Sequence, residues 1–250
     1  MHKSSRLWLS PVALFLIIFF LVKCGSEDLE NYKINPKFTK HIAAFTSGEI
    51  SAQASIEMEL VKPYAKEIKP NEKVDEELFD FSPGVKGKTV WIDQHTISFI
   101  PETPFQSGET YWVEFNLEAV AEVGDELSVF KFPIKIIEQS ITFEKDGLIT
   151  YDNENIEWQQ FRGKVIAADK ISTAELNDVF SFSFNGENYK AKWENQGTGN
   201  IYTVIIDSLK RQSRSMPLSI SWDGENIDAK GNGFEEVEVT ALGIFKINDY

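Results

Sequence analysis

Chemistry in this chain would have to be done with few tools. Among 250 residues there is one cysteine, Cys24, and there are three histidines, His2, His41 and His95. A thiol or serine hydrolase needs a nucleophile, a base beside it and a third group that orients the base. His2 and Cys24 fall in an amino-terminal leader, so His41 and His95 have no thiol to activate, and no Gly-x-Ser-x-Gly motif occurs. Turn and packing roles suit both histidines, and two distant histidines do not make a zinc site. Asp75-Glu76-Glu77 and Asp152-Asn153-Glu154-Asn155 offer the oxygen ligands calcium takes. Neither has the glycine and closing Glu of a calcium loop, and both read as solvated faces. Paired carboxylates for glycosidic chemistry cannot be singled out by spacing in a chain with 39 Asp and Glu. Gly231-Asn232-Gly233 does not lie between a strand and a helix, so it reads as a turn and not as a phosphate cradle. Trp112 and Trp158 fall at positions where a sugar could stack, with core or interdomain packing as the competing role. The expectation is no catalytic residue, no metal ligand and no cofactor.

Cys24 suggests a different chemistry, the attachment of lipid. His2, Lys3 and Arg6 give a basic start, an apolar run follows over residues 11–22, and Leu21-Val22-Lys23-Cys24 resembles a lipobox. Lys23 stands where a small residue is usual. The run of about 12 residues is short of the roughly 20 that a helix needs to cross a bilayer, and Pro11 interrupts its start. Residues 1–23 therefore read as a lipoprotein signal peptide, cut between Lys23 and Cys24, with acyl chains on Cys24. An uncleaved anchor helix and an ordinary secretory signal are the alternatives. Two or three acyl chains hold a protein stably on a bilayer where one holds only marginally. The acidic residues after Cys24 (Gly-Ser-Glu-Asp-Leu-Glu) resemble the export signal of Bacteroidetes surface lipoproteins, or form a solvated spacer. The location expected is the bacterial outer membrane, on its periplasmic or its surface face.

The formal charge is −14, and loss of Lys3, Arg6 and Lys23 with the signal makes the mature chain more acidic still. Such a surface repels phosphate backbones, so nucleic acid is not an expected partner. No disulfide can form within one mature chain, so burial must stabilise it, and 42% hydrophobic residues with 19 Phe can do so. Residues 24–40 lack periodicity and read as a tether. Beyond them the period is two. Tyr111, Val113, Phe115 and Leu117 share one face of residues 110–118, Ile56, Met58 and Leu60 share one face of 55–61, and Phe130, Phe132, Ile134 and Ile136 share one face of 128–136. Pro133 places the last of these at an edge or a bulge. Strands are also expected over 89–93 and 96–100 around Gln94-His95, over 179–184, and over 189–193 after an Asn185-Gly186 turn. Four more follow at 201–206, 218–222, 235–240 and 244–247. Residues 172–178 read as a short helix with Ser172 as cap and Glu175 three residues on. The expected fold is all-β: two tandem antiparallel Ig-like β-sandwiches after a signal helix, at 41–138 and 139–250, meeting at Ile137-Glu138-Gln139-Ser140.

Several stretches resemble a known family. Phe45-Thr-Ser-Gly-Glu-Ile-Ser51, Phe81-Ser-Pro-Gly-Val-Lys-Gly-Lys88, Trp91, Ile97-Ser-Phe-Ile-Pro101 and Phe105-Gln-Ser-Gly-Glu-Thr-Tyr111 are similar to a bacterial Ig-like module. Ile206-Asp-Ser-Leu-Lys-Arg211 and Leu218-Ser-Ile-Ser-Trp-Asp-Gly224 resemble the first macroglobulin-like domain of bacterial alpha-2-macroglobulins. The order of signal, module and domain is similar to the amino-terminal part of that family, in its Bacteroidetes branch.

The resemblance implies protease trapping, in which a bait segment is cut, the protein changes shape, and many members acylate the attacker through a Cys-x-Glu-Gln thioester. That motif is absent here. The chain is therefore expected to be the membrane-tethered, non-catalytic scaffold of such an inhibitor, meeting proteases through domains beyond residue 250. The alternative is a surface glycan-binding or adhesin lipoprotein, which should display two or more exposed coplanar aromatic rings. Sandwiches host many functions, so the fold does not choose between these readings.

Overall fold

The computed structural model describes residues 32–74, 77–151, 155–197 and 199–243. The regular structure of the described chain is mostly strand, arranged in four sheets, with one short α-helix. The alternating segments form strands because a period of two puts every second side chain on one face, where it can be buried.

The first pair of sheets contains nine strands. One sheet has the order β1 (Ile42–Phe45), β3 (Ile56–Leu60), β7 (Thr96–Pro101), β6 (Gly87–Trp91), β4 (Glu72–Lys73). The other has β2 (Gly48–Ile50), β9 (Val129–Ile136), β8 (Thr110–Asn116), β5 (Phe79–Ser82). Ile56, Met58, Ile97 and Phe99 on the first sheet face Phe79, Phe81, Val113, Phe115, Phe130 and Phe132 on the second, and all are buried. Phe99 closes the gap, with ring centroids 4.5 Å from Phe81 and 6.0 Å from Phe79. Each such side chain contributes about 1.5–3 kcal/mol relative to exposure. The chain changes sheets between β1 and β2, where Gly48 takes a φ of +80°. β2 then pairs parallel with β9, while the other pairings are antiparallel. Pro133 fits within β9 because β2 covers only Ile134 to Ile136, leaving residues 129–133 a local edge. The Ile136 N–H points to Glu109 on the β8 side, so the N–H that proline lacks falls on the opposite side, beyond the start of β2.

The packed structure begins earlier than the tether expected over 24–40. Pro36–Lys40 forms a 3-10 turn, capped by Asn35, whose side chain accepts from Lys37 N at 3.0 Å. The turn buries Phe38 against Phe130, with ring centroids 4.8 Å apart. One buried aromatic outweighs the lack of periodicity in so short a segment.

The second pair of sheets contains β10 (Ile141–Thr150), β11 (Trp158–Ala167), β15 (Ile201–Lys210) and β14 (Lys192–Asn195) in one, and β13 (Glu187–Tyr189), β12 (Phe180–Phe184), β16 (Met216–Asp223) and β17 (Asn232–Val239) in the other. Phe161, Val165, Val204, Ile206, Phe182, Leu218 and Ile220 build the core between them. Helix α1 (Thr173–Val179) closes one end, and Ser172 and Glu175 form the expected reciprocal cap. Asn185 and Gly186 both have positive φ, as the tight β12–β13 turn requires.

In this second pair, β10 and β11 have no counterpart among the expected strands, and two of the expectations made there are corrected. Residues 189–193 are not one strand: the chain leaves β12 as β13, passes Lys190 and Ala191, and joins the other sheet as β14. Alternation continues through the switch, so the sequence pattern does not reveal it. Gly233 lies within β17 and not in a turn, because the Trp222 ring on β16 covers it. A Cβ there would stand 2.3 Å from Trp222 Cζ2. The strand expected at 244–247 lies outside the described residues.

Candidate functional site

Cys24, Lys23 and the rest of residues 1–31 lie outside the described residues, as do Asp75, Glu76, Asp152, Asn153 and Glu154. No group of three metal-ligating side chains occurs among the described residues, and no described helix is long and apolar enough to cross a membrane. His95 sits at the β6–β7 hairpin tip, its Nδ1 2.9 Å from the Leu60 carbonyl. His41 ends the 3-10 turn, donating its N–H to Phe38 and accepting from Val61 N through its carbonyl. Both histidines hold backbone in place.

The described tryptophans are packed or covered. Trp91 is buried and stacks on Tyr64 at 4.6 Å. Trp193 packs on Phe180 and donates Nε1–H to Asn177 Oδ1 at 2.9 Å. Trp222 packs on Phe143 at 5.2 Å. Trp112 and Trp158 are half-buried on different sandwiches, and each has a lysine ammonium over its ring, Lys131 at 5.1 Å and Lys210 at 5.5 Å. Such cation–π contacts occupy the ring face that a sugar would use.

A polar cluster lies on the outer face of the second sandwich. The β11–β15 register slips between Gln159 and Phe161, and Ser208 takes a φ of +60° there. This bulge presents Asp207 to three neighbours, as bulges tend to re-aim side chains. Asp207 Oδ1 accepts from Tyr151 Oη at 2.7 Å and from Gln160 Nε2, and Oδ2 pairs with Lys192 Nζ. Tyr151 Oη in turn accepts from Ser208 N at 2.9 Å. The Lys192 ammonium, then the hydrogen bonds from Tyr151 and Gln160, hold the Asp207 carboxyl down at about 2, and Asp207 raises Lys192. A carboxylate so stabilised is a weak base near neutrality. The cluster fixes geometry.

The most connected site joins the two sandwiches, and it is built around Asp169 and Gln139. Asp169, only 7% exposed, follows β11. Its Oδ2 accepts from Ser51 Oγ at 2.9 Å and Ala52 N at 2.7 Å in the first sandwich, and its Oδ1 from Lys170 N at 2.7 Å. Gln139 Oε1 accepts from Asp169 N at 2.9 Å and its Nε2 donates to Asp169 O at 3.0 Å. Gln139 N donates to Ser107 Oγ at 2.8 Å, and Lys230 pairs with Glu138 at 2.7 Å. Gly231 lets the 224–231 turn lie against Ile141, where a Cβ would meet the Ile141 carbonyl at 2.3 Å. A cleft of about 190 Å³ lies beside this network, lined by Gln53, Phe105, Gln106, Asp169, Lys170 and Glu175 among others. Sequence reasoning placed a junction at residues 137–140 but missed Asp169. Its partners Ser51 and Ala52 are 118 and 117 positions away, and the one local signal is an acid directly after an apolar strand.

No protein-family model matches this sequence, and no curated protein is similar to it. Among solved structures, the chain is similar to L,D-transpeptidase 3 from Mycobacterium tuberculosis in complex with a faropenem-derived adduct, at 9% identity and a TM-score of 0.29, covering 66% of this chain and 55% of that one. An L,D-transpeptidase from Mycobacterium tuberculosis H37Rv matches at 10% identity and a TM-score of 0.29, covering 66% and 75%. The N-terminal part of the bacterial S-layer protein SbsC matches at 14% identity and a TM-score of 0.23, covering 80% and 44%. The chain thus spans just over half the length of the first of these structures.

Proposed function

We propose that this chain is the membrane-tethered, non-catalytic scaffold region of an alpha-2-macroglobulin-like protease-trapping inhibitor, anchored through lipid on Cys24. The observation that carries the reading is the bonded junction between tandem sandwiches, in which a buried Asp169 serves to fix one sandwich against the next. Such a junction suits a spacer that must present further domains at a set distance. The lysine-covered, separated Trp112 and Trp158 favour this reading over a glycan platform, which stacks sugars on open coplanar rings.

The test uses the product of the complete gene with lipid labelling and a protease assay. Incorporation of a palmitate analogue should occur in the wild type and vanish in Cys24→Ser. Trypsin held by the protein should lose activity on casein while keeping activity on a small chromogenic peptide. Equal retention of both activities overturns the trap, and labelling that survives Cys24→Ser overturns the anchor. Retardation of the chain in a polysaccharide gel would favour the glycan-binding alternative.

A further inference from the structure

The backbone enters each sandwich at one pole and leaves it at the other. In the first, β1 starts at Ile42 beside Leu60, whereas β9 ends at Ile136 beside Ile50, at the opposite end of the sheets. In the second, β10 starts at Ile141 beside Ala167, next to the junction. β17 ends at Val239, and the residues after it are held by Arg211, which donates to Thr240 O at 2.9 Å and Ile156 O at 3.1 Å. Residue 156 precedes β11, at the far end from Ala167.

We propose that the two sandwiches form a load-bearing link, in which tension between the ends of the chain meets strand ladders loaded in shear. In the first sandwich the early strand β2 lies parallel to the last strand β9. Tension draws β2 back towards the entry pole and β9 on towards the junction, so the hydrogen bonds between them are strained together. Ile137 N, bonded to Ile50 O at 2.9 Å, lies at the end of this ladder. In the second sandwich the first and last strands, β10 and β17, are paired along nearly their whole lengths with β11 and β16. Pulling on them slides each along its neighbour. Lys145 and Glu235, 2.6 Å apart, tie the two strands across the flank. Between the sandwiches, the bonds of Asp169 to Ser51 and Ala52 and the Lys230–Glu138 pair carry tension with little slack. This property belongs to the strand geometry and holds whatever the protein captures.

Single-molecule pulling tests it. The protein is made without residues 1–23, so that Cys24, its sole cysteine, stays unlipidated and takes one handle while a carboxy-terminal tag takes the other. The comparison is Gln53→Cys with Glu138→Cys in a Cys24→Ser background. Those two exposed positions follow the same ends of β2 and β9, so pulling there peels the strands apart bond by bond. Because the two substitutions remove the Glu138–Lys230 pair and the Gln53 bond to Lys170, the same variant is also pulled end to end through amino- and carboxy-terminal tags. Rupture follows the unfolding rate under load, so a difference within that variant isolates direction. The expected result is an unfolding force for the first sandwich roughly twofold or more higher end to end than when peeled. Equal forces overturn the proposal. Ile50→Pro, which removes the N–H beside the carbonyl that bonds Ile137, should lower the end-to-end force of the first sandwich and leave that of the second unchanged. An unchanged first event in a variant that still melts cooperatively removes β2–β9 from the load path.

Discussion

Asp169→Ala should uncouple the two sandwiches without unfolding either. The wild-type carboxylate accepts three hydrogen bonds, at 2.9 Å from Ser51 Oγ and at 2.7 Å from both Ala52 N and Lys170 N. Bonds to a charged acceptor contribute about 1.5–3 kcal/mol each, and burying the carboxylate takes part of that back. The net loss expected is about 2–4 kcal/mol, including the Ala52 N–H deprived of its acceptor. Two of the three bonds cross between sandwiches and neither core is touched, so the loss falls on their coupling. Calorimetry should show the wild type melting with its sandwiches coupled and Asp169→Ala melting in two separated transitions. Denaturant titration should place the loss in the range given. Asp169→Asn, which keeps the shape and one acceptor, should lie between the two. A single transition in Asp169→Ala with a loss below about 1 kcal/mol would refute the assignment of coupling to this carboxylate.

Gly233→Ala forces a methyl to within 2.3 Å of the Trp222 ring, and the overpacking should cost about 1–3 kcal/mol. A lowered Tm with altered near-UV dichroism checks it, and an unchanged melt would mean the ring is free to move. Because folding depresses the Asp207 carboxyl from 3.8 to about 2, its contribution is present above the unfolded value and is lost as pH falls through about 2. The shift caps that contribution at about 2.5 kcal/mol, and screening at the exposed Lys192 brings the expectation to about 1 kcal/mol. Acid unfolding should show Asp207→Asn weaker than wild type near neutrality and equal to it below pH about 2, and parallel curves at every pH would reject the link. Phe38→Ala should release the 36–40 turn at a cost of about 3 kcal/mol, read as new protease cleavage at Lys37 or Lys40 before global unfolding. Cleavage at the wild-type rate would show that Phe38 does not hold the turn.

Strand faces were legible because burial imposes a period of two. Tyr111, Val113, Phe115 and Leu117 are all buried, and so are Phe130, Phe132, Ile134 and Ile136. The turn at Asn185-Gly186 and the Ser172–Glu175 cap were legible because each depends on residues close in sequence. What could not be read depends on distant partners. The break at Lys190–Ala191 shows only in which neighbour each strand meets, and Gly233 reads as a turn until Trp222 is known to lie above it. Asp169 looks like any acid of an acidic chain until Ser51 and Ala52 approach it. Asp207 likewise depends on a bulge that brings Tyr151, Gln160 and Lys192 together.

The sheet changes between β1 and β2 and between β13 and β14 bear on how these domains withstand digestion. Each sandwich is laced by a stretch of chain that belongs to both of its sheets, so the sheets cannot swing apart as two leaves on a spine. Motion that lifts β13 from β12 must drag β14 on β15 with it. Local breathing is thereby tied to loss of the whole core, and the interior strands are exposed to a protease about as rarely as the domain unfolds. Such lacing is protection against digestion that needs neither a disulfide nor a bound metal.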